Sequence, residues 1–265
     1  MKGGPVMVEE ATLRAAIRQQ LVGDRLFGMD FVPLPATVLE HIATPAVCVA
    51  QERSTRPAGD VADKSGRLAV LNESQVKGCT KCGLAKARTQ TVFGQGSANA
   101  RLVFVGEAPG FEEDRQGLAF VGAAGQLLTR MIVAMGLSRD EVFICNVLKC
   151  RPPGNRDPMA DEVLACSPYL REQLQIIRPE MLVALGAPAA KTLLNTAESI
   201  GRLRGRFHDY FLSGMTGEGE SIPLMPTYHP AYLLRNESEK KKTWDDLQKV
   251  MARMGLTPPA RRARA

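Results

Sequence analysis

Arg101-Leu-Val-Phe-Val-Gly-Glu-Ala-Pro-Gly-Phe-Glu-Glu-Asp114 is the stretch on which the reading of this chain turns. Leu102 to Val105 is an unbroken apolar run, the pattern of a strand buried on both faces of a parallel sheet. Gly106-Glu107-Ala108-Pro109-Gly110 ends it, because glycine and proline stop the ladder and let the backbone approach a ligand. Three acids follow at Glu112, Glu113 and Asp114. Ligands of open α/β sheets lie just beyond the carboxyl ends of the strands. A carboxylate here is therefore a candidate site residue, weighed against an ordinary strand-to-loop turn.

Working outward, Val142 to Val147, Met181 to Leu185 and Ile222 to Met225 repeat the buried-strand pattern. Helical patterns separate them. Ala124 to Met135 places Leu127, Leu128, Met131, Ile132 and Met135 on one face. Asp157-Pro158 reads as an N-cap followed by proline at the first helical position. The helix behind it carries Val163, Leu164, Leu170 and Leu174 on its apolar side, and Gly186-Ala187-Pro188 feeds another over Ala189 to Leu194. Alternating strands and helices predict an α/β fold: a three-layer α/β/α domain on a mostly parallel four-stranded central sheet. This domain is expected over residues 71–256. Residues 1–50 read as an N-terminal extension with a helix over 8–28, residues 51–70 as a polar linker and 257–265 as a basic tail.

The 265 residues are 45% hydrophobic and 23% charged, a soluble globular composition. No run approaches the roughly 18 apolar residues of a membrane span. Glu9, Glu10, Arg14 and Arg18 interrupt any signal-peptide core, so the expected location is the cytoplasm. In that reducing compartment six cysteines favour metal or cluster ligation over disulfides. The net charge of +6 leans toward a polyanionic partner without specifying one.

Cys79-Thr-Lys-Cys82 is a C-x2-C pair just ahead of the domain; 67 residues separate Cys82 from Cys150, and 15 separate Cys150 from Cys166. A structural zinc site usually draws its second pair close together, so zinc is an unusual fit. Four thiolates equally hold an iron–sulfur cluster, and incidental core thiols are the third possibility. Cys145, inside a strand, reads as a small core residue, and Cys48 receives no role. Elsewhere, Asn146 ends the second strand and His229 follows the fourth, in Pro226-Thr-Tyr-His-Pro-Ala-Tyr-Leu-Leu-Arg235. Each alone is an ordinary turn or structural residue. Together, Glu107, Asn146 and His229 all follow predicted strands and are expected along one edge of the sheet.

With these residues assembled, the sequence resembles the type-4 uracil-DNA glycosylases of bacteria and archaea. The resemblance rests on GEAPGFEED with Ala119-Phe120-Val121-Gly122, on NVLKCRPPGNR, on the four cysteines and on PTYHPAYLLR, in that order from about Gly78 to Met254. It implies a compact α/β fold and a 4Fe–4S cluster on Cys79, Cys82, Cys150 and Cys166. It implies DNA repair by uracil excision from single- or double-stranded DNA, with a monomer sufficient for the chemistry. Phe120 matches the family's stacking residue, Asn146 its pyrimidine-reading amide and His229 the histidine that stabilises the departing base. Gly106, Glu107 and Ala108 match the substrate-binding loop, with Glu107 the candidate catalytic carboxylate and Asp114 held in reserve. The best-known branch of the superfamily has Asp where this chain has Ala108, and a methyl-excluding Tyr where it has Gly110. The carboxylate assignment and the exclusion of thymine are thereby left open. Leu233, Leu234 and Arg235 fall where relatives insert a side chain into DNA, as either leucine would. Phosphate contacts are expected from Arg204 and Arg206, with Lys81, Lys86, Arg88, Arg202 and Lys240 to Lys242 as further candidates. The alternative function is a protein that binds or traps uracil-DNA without turnover. However, this chain lacks the Lys-Arg-rich, His-containing insertion that trapping relatives carry. A zinc-stabilised nucleic-acid module without activity is a third reading, distinguished by being colourless.

Overall fold

The computed structural model describes residues 63–213 and 219–257. The extension of residues 1–50, its helix over 8–28 and the tail beyond residue 257 lie outside the described residues. The elements run α1 (Lys64–Leu71), β1 (Gln95–Gly96), β2 (Leu102–Gly106), α2 (Phe111–Gln116), α3 (Ala123–Ala134), β3 (Phe143–Asn146) and α4 (Ala160–Ile177). They continue with β4 (Met181–Leu185), α5 (Ala187–Leu194), α6 (Ile200–Leu203), β5 (His208–Phe211), β6 (Ser221–Thr227), α7 (Pro230–Arg235) and α8 (Lys240–Met254). One sheet has the order β1-β3-β2-β4-β6-β5, with the four inner strands parallel and the edges antiparallel.

Alternate residues of the inner strands feed two cores. Val103, Val105, Cys145, Leu182 and Ala184 pack with Leu170 and Leu174 of α4 and with Ala189 and Leu193 of α5. Leu102, Phe104, Ile144, Met181 and Val183 face Leu128 and Ile132 of α3 and Leu247 and Val250 of α8. This is the three-layer α/β/α arrangement expected, and it explains why the inner strands read as continuous apolar runs. The chain leaves β2 for one face and β4 for the other, so a crevice opens beyond their carboxyl ends.

The sheet has six strands, two more than expected. β1 is two residues long, and β5 (HDYF) contributes one buried side chain, Tyr210, so neither carries an apolar signal. The helix expected from Asp157 begins instead at Ala160, with Met159 as its N-cap. The Met159 N–H donates to the Glu162 carboxylate at 2.8 Å, which satisfies the first turn without Asp157. Leu164, expected on the apolar side, is exposed. α1 occupies the end of the stretch read as linker, and its Leu68 and Leu71 are buried with Val76 in the first core. Among the described residues no helix is long and apolar enough to cross a membrane.

Candidate active site

Gly106 and Asn146, last residues of β2 and β3, are register partners. The pairing continues past the strands, with Val147 N–H donating to Gly106 O at 2.9 Å and Leu148 N–H to Glu107 O at 3.0 Å. These bonds hold the two loops side by side. Asn146 is 1% exposed, yet its Oδ1 accepts no hydrogen bond. A buried acceptor without a donor is costly unless a ligand supplies one. A Cβ on Gly106 would collide with Asn146 Oδ1 and stand 2.5 Å from Phe120 Cζ. The glycine thus clears a space bounded by an amide and an aromatic ring.

Phe120 is held there against its preference. Its φ of 54° is left-handed, which a residue with a Cβ rarely adopts. Two sets of bonds and one close approach fix the loop. Glu113 Oε1 accepts from Val121 N–H and Gly122 N–H, each at 2.9 Å. Ala119 O accepts from Arg139 at 2.7 Å and from Gln95 at 3.1 Å. Gly125 leaves room for the Phe120 carbonyl, into which any Cβ would run. Such over-determination is what sustains local strain.

The Phe120 ring lies 5.7 Å from that of His229, centroid to centroid, at 35°. His229 is the N-cap of α7, its Nδ1 accepting from Ala231 N–H at 3.1 Å. Burial, aided by nearby Arg235, pushes its pKa down to about 4, so the imidazole is neutral at physiological pH. With Nδ1 an acceptor, the proton sits on Nε2, which is a donor. Gly186, at φ +92°, stands behind the histidine, where a Cβ would lie 3.0 Å from His229 Cβ. Burial, with Asp157 nearby, lifts the Glu107 carboxyl to about 7. Asp114 is committed elsewhere: it is buried and accepts from Thr89 N–H at 2.9 Å, which fastens α2 to the preceding loop. Ala108 is half-buried against the first core.

The rim sorts the remaining candidates. Leu233 is 1% exposed in the second core and has no freedom to leave it, whereas Leu234 is 40% exposed. Arg235 ends the same helix. Arg204 does not offer a free cation, because its guanidinium forks onto buried Asp246 at 2.7 and 3.0 Å and also donates to Lys242 O. Arg206 is exposed, with only a loose 3.8 Å approach to Glu198. Lys240 and Lys242 pair with Glu237 and Glu239.

Cys79, Cys82, Cys150 and Cys166 line one hollow together with Lys81, Arg88, Lys149 and Tyr169. All four are free thiols. Arg88 donates to Cys150 Sγ at 3.1 Å, the Tyr169 hydroxyl to Cys79 Sγ at 3.2 Å and Lys149 N–H to Cys166 Sγ at 3.2 Å. Donors aimed at sulfur suit thiolate ligands. Among the described residues no His, Cys, Asp or Glu group is close-knit enough for a single metal ion. Four thiols gathered around one hollow, three of them with a donor on sulfur, are a ligand set that suits an iron–sulfur cluster. Cys145 lies apart, fully buried in β3.

Sequence patterns did not single out Lys149, Gln173, Arg139, Gln95 or Gly125, which brace the site from a distance. Glu113 was visible only as one acid among three.

Residues 93–248 match the family model of the uracil DNA glycosylase superfamily. The chain is 45% identical over 193 residues to a type-4 uracil-DNA glycosylase of Saccharolobus solfataricus, covering 71% of this chain and 87% of the relative. Another of that name, from Thermotoga maritima, is 44% identical over 69% of this chain and 93% of its own. One from Archaeoglobus fulgidus is 41% identical over 70% and 92%.

Proposed function

The chain belongs to the uracil DNA glycosylase superfamily, and from that premise we infer that it excises uracil from DNA, hydrolysing the N-glycosidic bond to leave an abasic site and free uracil. The observation that carries this reading is the unpartnered Oδ1 of Asn146 beside Phe120. A uracil flipped from the stack supplies what is missing there. Its N3–H donates to Asn146 Oδ1, the Asn146 amide N–H donates to O4, and Phe120 stacks on the ring. Cytosine reverses both polar demands and would leave buried groups unpaired.

As the bond to the sugar breaks, negative charge collects on uracil N1 and O2 and positive charge on the sugar. His229 Nε2–H donates to O2, and a neutral donor already fixed in place costs little reorganisation. Glu107, ionised above about pH 7, steadies the cationic sugar or orients the attacking water. Leu234 is the leucine that enters the vacated stack, and Arg206 and Arg235 contact phosphate. Cys79, Cys82, Cys150 and Cys166 would hold a 4Fe–4S cluster, whose ligation would tie the Cys79–Cys82 loop to the loop after β3 and to α4. The enzyme acts as a cytoplasmic monomer on single- or double-stranded DNA.

Base release from a uracil-containing oligonucleotide, followed by alkaline cleavage, tests this. Wild type should turn over repeatedly, with Asn146→Ala and His229→Ala each slowed by about 100-fold or more. A stable protein–DNA adduct, or binding without release, would refute the assignment.

A further inference from the structure

Lys149 is a polar side chain in the wrong place. It is 1% exposed, and its Nζ donates to two neutral acceptors, Asn146 O at 2.7 Å and Gln173 Oε1 at 2.6 Å. A methionine would fill the space without the cost of burying an amine, so packing alone does not account for it. Gln173, fully buried in α4, spends its amide N–H on Phe93 O at 2.8 Å, which fixes the orientation of its carbonyl. The Lys149 backbone is anchored as well, its N–H on Cys166 Sγ and its C=O accepting from Val92 N–H at 2.7 Å. Four segments therefore meet at this residue: the end of β3, helix α4, the loop before β1 and the cysteine hollow.

Asn146 has a bare side-chain oxygen in the pocket, so the placement of its amide depends on where its backbone is held. The shortest bond from outside the sheet onto that backbone comes from Lys149. We propose that Lys149, oriented by Gln173, is a positioning residue that sets the Asn146 amide for reading the base, and that helix α4 acts on the pocket through it. This rests on Asn146 being the uracil reader. A misplacement of one ångström at such a group costs catalysis far more than it costs binding of ordinary DNA.

The test uses the full chain with its cluster and compares wild type with Gln173→Met, Gln173→Glu, Lys149→Met, the Lys149→Met/Gln173→Met double variant and Asn146→Ala. The readouts are visible absorbance, thermal midpoint, affinity for undamaged single-stranded DNA and single-turnover uracil release. Gln173→Met should slow release by about 10- to 100-fold, with absorbance and affinity for undamaged DNA unchanged. Gln173→Glu keeps an acceptor for Nζ but loses the donor to Phe93 O, so it should release uracil faster than Gln173→Met without reaching wild type. The double variant should be no slower than Lys149→Met, because both changes remove one unit. Wild-type release by Gln173→Met while Asn146→Ala is inactive would overturn the proposal. Loss of fold or cluster in Gln173→Met with release per intact cluster unaltered would also overturn it. An active Asn146→Ala would instead remove the base-reading assignment on which it stands.

Discussion

Gly106→Ala adds one methyl group at the point where the pocket is tightest. The new Cβ would lie 2.5 and 2.7 Å from Phe120 Cζ and Cε2 and still closer to Asn146 Oδ1. Ordinary carbon contacts are about 3.5–4.0 Å, so ring and amide must each retreat by nearly an ångström or the backbone must shift. Phe120 cannot retreat freely, since Glu113, Arg139 and Gln95 hold its loop. Overpacking of this kind costs about 1–3 kcal/mol of stability. The methyl also occupies the gap into which the base slides, forfeiting about 1–3 kcal/mol of stacking and straining both bonds to Asn146. A loss of about 3–4 kcal/mol in the transition state is two to three decades in rate. Single-turnover release with enzyme in excess measures it, and thermal unfolding reports the stability part separately. Gly122→Ala is the control, because its Cβ would meet nothing nearer than Glu113 Oε1 at 3.5 Å. Release by Gly106→Ala within about threefold of wild type would refute the geometry argued here.

Uracil release should climb with pH through about 7 as Glu107 loses its proton, and His229, neutral above about 4, should add no second limb there. Glu107→Gln should flatten that climb, and Asp157→Asn should move its midpoint down by removing a like charge; a climb retained in Glu107→Gln assigns it to another group. Leu233→Ala should lower stability by about 2–5 kcal/mol, whereas Leu234→Ala should leave the thermal midpoint alone and slow release from duplex more than from single strands. Arg204→Ala strands the buried Asp246 carboxylate and should cost about 3–5 kcal/mol. Arg206→Ala should leave stability unchanged and reduce the salt slope of DNA binding by about one.

The parallel strands were legible because both of their faces are buried, which writes a continuous apolar run into the sequence. The same reasoning hid β5, whose alternation is diluted by His208 and Asp209, and β1, which is too short to carry a pattern. Glu107, Asn146 and His229 were legible by position, each at a strand's exit. Arg204 and Arg206 look alike in sequence, and only the distant Asp246 separates a structural arginine from one facing solvent. Leu233 and Leu234 are adjacent on a six-residue helix, too short for periodicity to say which faces inward. Lys149 was unreadable for the opposite reason: a lysine is expected at the surface, and its acceptor on α4 lies 24 residues away.

The order of the chain has a consequence during synthesis. Cys166, the last of the four thiols around the hollow, precedes His229 by 63 residues. β6, which leads into that histidine, is also the last parallel strand in the chain and lies beside β4. A nascent chain thus carries all four of these thiols before it carries His229.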